Sequence, residues 1–154
     1  MEIVQATKKD YKEVNSLLVK LHNFHAKNCP ETFIKTDIFF EKRFYNKRLK
    51  NGYIYFLAKE DEKIVGIIGI NTCSNDFIKI LSVNSLYVEK EYRNKGIATK
   101  LFDKVKKYFN ENCNDSTWCD CLSLNVSSFN KTAISFYENL GFKFQSHNMD
   151  LKLK

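Results

Sequence analysis

Between Tyr92 and Lys100 the chain reads Tyr-Arg-Asn-Lys-Gly-Ile-Ala-Thr-Lys, a basic turn with a glycine near its centre. Arg93, Lys95 and Lys100 bring whole positive charges, and Gly96 removes the side chain that would hold an anion off the backbone. The apolar run ending Leu86-Tyr87-Val88 precedes this turn, and a helix-like run from Leu101 to Phe109 follows it. A strand therefore hands over to the start of a helix. Free N–H groups collect at such a start, and the helix dipole places partial positive charge there. The chemistry these residues favour is capture of a phosphate or pyrophosphate.

Other reactive groups are less specific. His22 and His25 stand near the end of a helical stripe, just before Cys29-Pro30-Glu31-Thr32-Phe33, and imidazoles titrate close to neutral pH. His25 also falls on the apolar stripe, where a structural histidine is common. Phe24, Phe33 and Phe39 could wall a ligand pocket, and core packing explains them as well. Cys113, Cys119 and Cys121 invite a metal reading, but a fourth ligand at familiar spacing is missing, so no metal is expected.

The elements that must position these residues follow from periodicity. Glu2–Gln5 alternates like a short strand, and Thr7 with Asp10 three residues on resembles a capping box. Tyr11, Val14, Leu18, Leu21 and His25 recur at helical spacing, widened by Leu17 and Phe24. Ile38, Phe39, Phe44 and Leu49 suggest a second, less regular helix ending near Asn51-Gly52. Tyr53–Lys59, Lys63–Cys73 and Phe77–Val88 are strand-like and separated by polar turns, which predicts an antiparallel meander. Ser82, Asn84 and Ser85 interrupt the third of these, where a bulge or a ligand-facing segment is expected.

Beyond the basic turn, Ile97, Leu101, Val105 and Tyr108 mark an amphipathic helix, and Trp118–Val126 a further strand. Phe129, Ala133, Phe136, Tyr137 and Leu140 give a last helix that Gly141 caps. Phe142–Phe144 and His147–Leu153 are expected as closing strands. The order β-α-α-β-β-β-α-β-α-β-β describes an α/β domain around one mixed sheet, with a parallel crossover between Leu81 and Val126.

Composition bounds the rest. A chain of 154 residues with 44% hydrophobic and 14% aromatic residues suits one globular domain with a substantial core, spanning residues 1–154. The net charge of +7 is spread along the chain, and no recognisable nucleic-acid module accompanies it. No signal core or run of ~20 apolar residues is present, and an odd number of cysteines fits reduced thiols. A soluble, cytoplasmic protein with no nucleic-acid or membrane partner is the expectation.

Arg93-Asn94-Lys95-Gly96-Ile97-Ala98 resembles the Arg/Gln-x-x-Gly-x-Gly/Ala signature of the GNAT superfamily of N-acetyltransferases. Asn130 to Phe142 is similar to that family's Asn-x-x-Ala-x-x-Phe-Tyr-x-x-x-Gly-Phe segment. The two motifs stand in the right order, and matching elements run across nearly the whole chain.

This resemblance implies a mixed, mostly antiparallel sheet of six to seven strands flanked by about four helices. The fourth and fifth strands are splayed to admit acetyl-CoA. It implies acetyl transfer to a primary amine of a small molecule or peptide, with acetyl-CoA as co-substrate and a homodimer as a common state. A non-catalytic acyl-CoA-binding module of the same fold is the alternative.

Carried over by position, the backbone from Arg93 through Asn94, Lys95, Gly96 and Ile97 to Ala98, with Thr99 and Lys100, would hold the pyrophosphate. Leu86, Tyr87 and Val88 would pair with the pantetheine arm, and Asn130 would hydrogen-bond it, although Asn130 also suits a helix cap. Tyr137 matches the general acid that protonates the departing thiolate, with a packed aromatic as the lesser alternative. Phe24, His25, Phe33 and Asn84 are candidates for contact with the acceptor.

Many relatives carry a Glu on the fourth strand, but Phe77–Val88 holds no carboxylate. Asn84 and Ser85 occupy its central region, Asp76 precedes it, and Glu31 and Asp37 lie in the acceptor-side loop. A general base is therefore not assigned. A water relay, or an amine already partly deprotonated, would need none.

Overall fold

The computed structural model describes residues 1–74, 78–113 and 118–146. Its elements in chain order are β1 (Glu2–Gln5), a 3₁₀ turn (Lys8–Asp10), α1 (Tyr11–Asn28), α2 (Lys42–Lys50), β2 (Ile54–Glu60), β3 (Lys63–Ser74) and β4 (Lys79–Val88). A second 3₁₀ turn (Lys90–Tyr92), α3 (Ile97–Asn112), β5 (Trp118–Leu124) and α4 (Lys131–Asn139) complete them. The sheet runs β1-β2-β3-β4-β5, antiparallel throughout except for the parallel pair β4 and β5.

Helices cover both faces of this sheet, so its central strands read as nearly continuous apolar runs. Phe56, Ala58, Val65, Ile68 and Ile70 face α3, where Ile97, Leu101, Phe102 and Val105 are buried against them. Tyr55, Leu57 and Ile67 face the other way, onto Val14, Leu17 and Leu18 of α1 and Tyr45 of α2. The 3₁₀ turn that leads into α1 begins with the expected capping box. The Thr7 hydroxyl accepts the Lys9 N–H, and Asp10 Oδ2 accepts the Thr7 N–H at 2.7 Å.

Two expectations change. Ile38 and Phe39 precede α2 instead of lying in it. Asn15 Oδ1 of α1 accepts the N–H groups of Phe39 and Phe40, both at 3.1 Å, and this holds their backbone outside a helix. Phe142–Phe144 is irregular rather than a strand, so the sheet has five strands among the described residues instead of six to seven. The cap of α4 turns the Phe142 ring onto Phe102 and Tyr137, away from any strand edge. His147–Leu153 lies outside the described residues. Among the described residues no helix is long and apolar enough to cross a membrane.

Candidate active site

The bulge expected near Ser82–Ser85 lies at Asn84. Ser85 opposes Gly69 and Val83 opposes Ile70, leaving Asn84 as the extra residue. Parallel pairing with β5 stops at the same place, with Val83 opposite Leu124, the last residue of β5. Beyond the bulge, the β5-facing edge of β4 therefore has no strand beside it among the described residues. The Glu89 N–H bonds the Val65 carbonyl at 2.9 Å, which sets the phase of the ladder. Alternation then turns the peptide groups of Leu86 and Val88 away from β3, towards that open edge. An extended ligand laid there would be held as an added strand is held.

Gly69 keeps the bulge in place. A Cβ there would lie 2.4 Å from Ser85 Oγ, 2.7 Å from Asn84 Oδ1 and 2.8 Å from Tyr55 Cε1. The Asn84 side chain is itself anchored: its Nδ2 donates to Asn71 Oδ1 at 2.9 Å, and its Oδ1 accepts the Ser85 hydroxyl at 3.2 Å.

The basic turn follows directly. Asn94 and Gly96 both have positive φ (60° and 74°), so the backbone curls ahead of α3. The first helical bond is Lys100 N–H to Gly96 O, and the α3 start has no side-chain cap and no acidic residue in its first turn. Among the described residues, the amides from Asn94 through Thr99 have no hydrogen-bond acceptor. Successive N–H groups on a curled backbone at a helix start make an anion-binding concavity. Arg93 sits apart from them. Its own N–H goes to Lys90 O, its Nε donates to the Val88 carbonyl at 2.9 Å, and its guanidinium lies over the Tyr87 ring. Its charge thus braces the end of β4, because Val88 offers the unpaired carbonyl that faces the open edge. Lys95 leans over Tyr92.

The second motif builds α4. Asn130 caps it, with Oδ1 accepting the Ala133 N–H at 3.2 Å, which leaves the Asn130 Nδ2 for other partners. At the other end, Gly141 has φ +93°, its N–H bonds Glu138 O, and the Phe142 N–H bonds Tyr137 O at 3.0 Å. This is a Schellman cap, and the accompanying apolar contact is between the Phe142 and Tyr137 rings, 5.8 Å apart. Tyr137 also meets Phe102 of α3 edge-on. Burial pushes its phenol up to about 12, so it holds its proton at neutral pH.

The acceptor-side candidates gather around the end of α1. His25 contacts Phe24, Phe33 and Phe129, with ring centroids 5.7, 5.4 and 5.8 Å away. Phe129 immediately precedes Asn130, so this cluster adjoins the start of α4. Asn23 pins the loop by exchanging two hydrogen bonds with the Thr36 backbone, and His22 Nε2 donates to Ile34 O at 2.7 Å. Asn84, on the bulge, bonds Asn71 and Ser85 instead. Glu31 and Asp37 are exposed, and Asp76 lies outside the described residues.

Sequence reasoning passed over three contributors. Gly69 and Asn71 support the bulge, and only a cross-strand register could show that they lie beneath it. Glu89 is the first carboxylate past β4, and it pairs with Lys20 of α1. Among the described residues no group of three His, Cys, Asp or Glu is placed to hold a metal ion.

A family model described as an acetyltransferase (GNAT) domain matches residues 51–144, which contain the splayed strands, the turn and α4. The chain belongs to the GNAT acetyltransferase family. It is 38% identical over 65 residues to N-alpha-acetyltransferase 60 of Danio rerio, a match covering 42% of this chain and 26% of that protein. The chain spans well under half the length of the curated relatives it matches.

Among solved structures, the tetramutant of the BH1408 protein from Bacillus halodurans superposes with a TM-score of 0.88 at 25% identity, covering 99% of this chain and 100% of that one. The aminoglycoside acetyltransferase meta-AAC0020 from an uncultured soil sample, in complex with sisomicin, gives 0.75 at 18% identity, covering 99% and 96%. The latter is a likeness of fold.

Proposed function

We propose that the chain is an acetyl-CoA-dependent N-acetyltransferase that passes an acetyl group to a primary amine by direct attack on the thioester. One observation carries this reading: the unpartnered amides from Asn94 through Thr99 directly follow a strand edge that has lost its neighbour. The two together suit a ligand with a pyrophosphate at one end and an amide-bearing arm at the other, which describes CoA. The amides and the Thr99 hydroxyl take the pyrophosphate, with Lys95 and Lys100 adding charge. The edge at Leu86, Tyr87 and Val88 takes the pantetheine, and Asn130 Nδ2 donates to one of its carbonyls.

The chemistry sets three demands. The amine must be neutral to attack, because alkylamines have pKa values near ~10. The developing oxyanion needs a fixed donor, which the outward N–H of Leu86 or Val88 supplies. The leaving thiolate needs a proton, and Tyr137 remains protonated at neutral pH to give one. Phe24, His25 and Phe33 face the acceptor. One relative is named N-alpha-acetyltransferase 60, and one structure of like fold is an aminoglycoside acetyltransferase. The +7 charge weighs against a polyamine.

Calorimetric titration tests the cradle. Acetyl-CoA should bind at least tenfold more tightly than S-acetylpantetheine, which lacks the pyrophosphate, and equal affinity would contradict the assignment. The second reading, a binding module without turnover, draws on the carboxylate-free β4 and on the Asn84 side chain tied to Asn71 and Ser85. Tight acetyl-CoA binding with no CoA release across a broad amine panel would favour it.

A further inference from the structure

The reaction proposed above leaves the amine's proton without an acceptor on β4, whose ten residues include no carboxylate. The C-terminal half of α1 runs from the end of β4 to the loop before α4. Lys20 of α1 is paired with Glu89 at the end of β4, and His25, five residues on, packs on Phe129 of the loop leading to α4. Five helical residues span about 7–8 Å. This stretch of α1 therefore bridges the open end between β4 and the α4 cap.

The His25 ring is wedged between Phe33 and Phe129, and its Nδ1 is buried with no hydrogen-bond partner. A buried polar atom left unpaired costs on the order of 1–3 kcal/mol, a cost that a phenylalanine or leucine at this position would avoid. The imidazole therefore sits where packing alone does not call for one. Nε2, unlike Nδ1, is not a buried atom without a partner, and His25 as a whole is only half-buried.

We propose that His25 Nε2 is the proton acceptor for the attacking amine, standing in for the carboxylate that β4 lacks. The inference rests on the acetyltransferase reading. As the amine nitrogen attacks the acyl carbon, a C–N bond forms and the carbonyl π pair moves to oxygen. The ammonium proton passes to His25 Nε2. The oxygen pair then returns, the C–S bond breaks with its electrons on sulfur, and that sulfur takes the Tyr137 proton. The imidazolium gives its proton to water, and the phenolate regains one from water.

The surroundings suit this role. Burial first, and the neighbouring His22 second, hold the His25 pKa below its ordinary 6.5, so the ring is neutral at pH 7. From the α1–α2 segment and the β5–α4 loop the groups against it are the uncharged Phe33 and Phe129. His22 is already committed to the Ile34 carbonyl, and Glu89 to Lys20.

The test compares wild type with His25→Ala and His25→Phe. The acceptor is whichever gives the fastest CoA release among 2-phenylethylamine, lysine, an N-terminal peptide amine, spermidine and sisomicin. His25→Ala should lose roughly 100-fold or more in kcat/KM with acetyl-CoA affinity retained, and added imidazole should restore a measurable part of the loss. The acid limb of the wild-type pH profile should have an apparent pKa below 6.5 and match the His25 ring titration read by NMR in the protein alone. In His25→Phe, a melting temperature near wild type with the same kinetic loss supports proton transfer over packing. Turnover within threefold of wild type in both variants, or an unchanged acid limb, overturns the role of His25 and leaves the acetyltransferase reading standing. Failure of wild type to release CoA with any of these amines overturns both.

Discussion

The residue that carries most of the proposed chemistry, Tyr137, owes its protonation state to burial. Its ring packs against Phe102, Phe136 and Phe142, and no charged neighbour offsets the loss of water around the phenol. Tyr45 and Tyr55 are raised by burial in the same way, and the Tyr45 hydroxyl donates to the Thr7 carbonyl at 2.7 Å. The folded state therefore keeps protons that the unfolded chain releases above its ordinary tyrosine pKa of about 10. Stability from these groups is complete below pH 10 and falls as pH rises through their folded values. Tyr137 alone contributes a slope of up to about 1.4 kcal/mol per pH unit between 10 and 12. Urea denaturation from pH 8 to 11.5 should show a flat free energy that turns downward above 10. A flat profile throughout would mean these phenols are solvated.

At the scale of elements, the decisive feature is the bulge at Asn84, which ends the β4–β5 pairing and frees the Leu86–Val88 edge. Gly69 supports it from β3, and the Cβ of an alanine would collide with Ser85, Asn84 and the fully buried Tyr55. The Ser85 hydroxyl can rotate away, but the Tyr55 ring is packed on Tyr45 and hydrogen-bonded by Arg48 Nε. Gly69→Ala should cost about 1–3 kcal/mol of stability. It should also depress kcat more than it weakens acetyl-CoA binding, because the cradle at α3 is untouched. Thermal melts and steady-state kinetics check this together, and an unchanged kcat would detach the bulge from the chemistry.

Much of this scale was legible in the chain. Periodicity marked α1, α3, α4 and the three-stranded meander, and the polar interruption at Ser82–Ser85 marked the bulge. What periodicity does not encode is which local group a side chain finds. Arg93 folds back five residues to Val88 O, Asn130 spends its Oδ1 on its own helix, and Asn15 draws Phe39 and Phe40 out of α2. Phe142 has the composition of a strand residue, yet a Schellman cap directs its ring onto Tyr137.

Across the whole molecule, the two sequence motifs converge through α3. Its first turn ends the basic cradle, and Phe102, one turn further on, supports Phe136, Tyr137 and Phe142 of the second motif. The basic turn and the open β4 edge were thus legible from motif residues that offer mainly their backbone groups. The cluster around His25 was not, since it depends on α1, the α1–α2 segment and the Phe129 loop meeting in space. The most direct test of the central claim is amine-dependent CoA release by wild type and Tyr137→Phe at neutral pH. The account predicts release by wild type, and a loss of roughly 100-fold in kcat for the variant with KM for acetyl-CoA within about threefold. A variant that turns over as fast as wild type would contradict it.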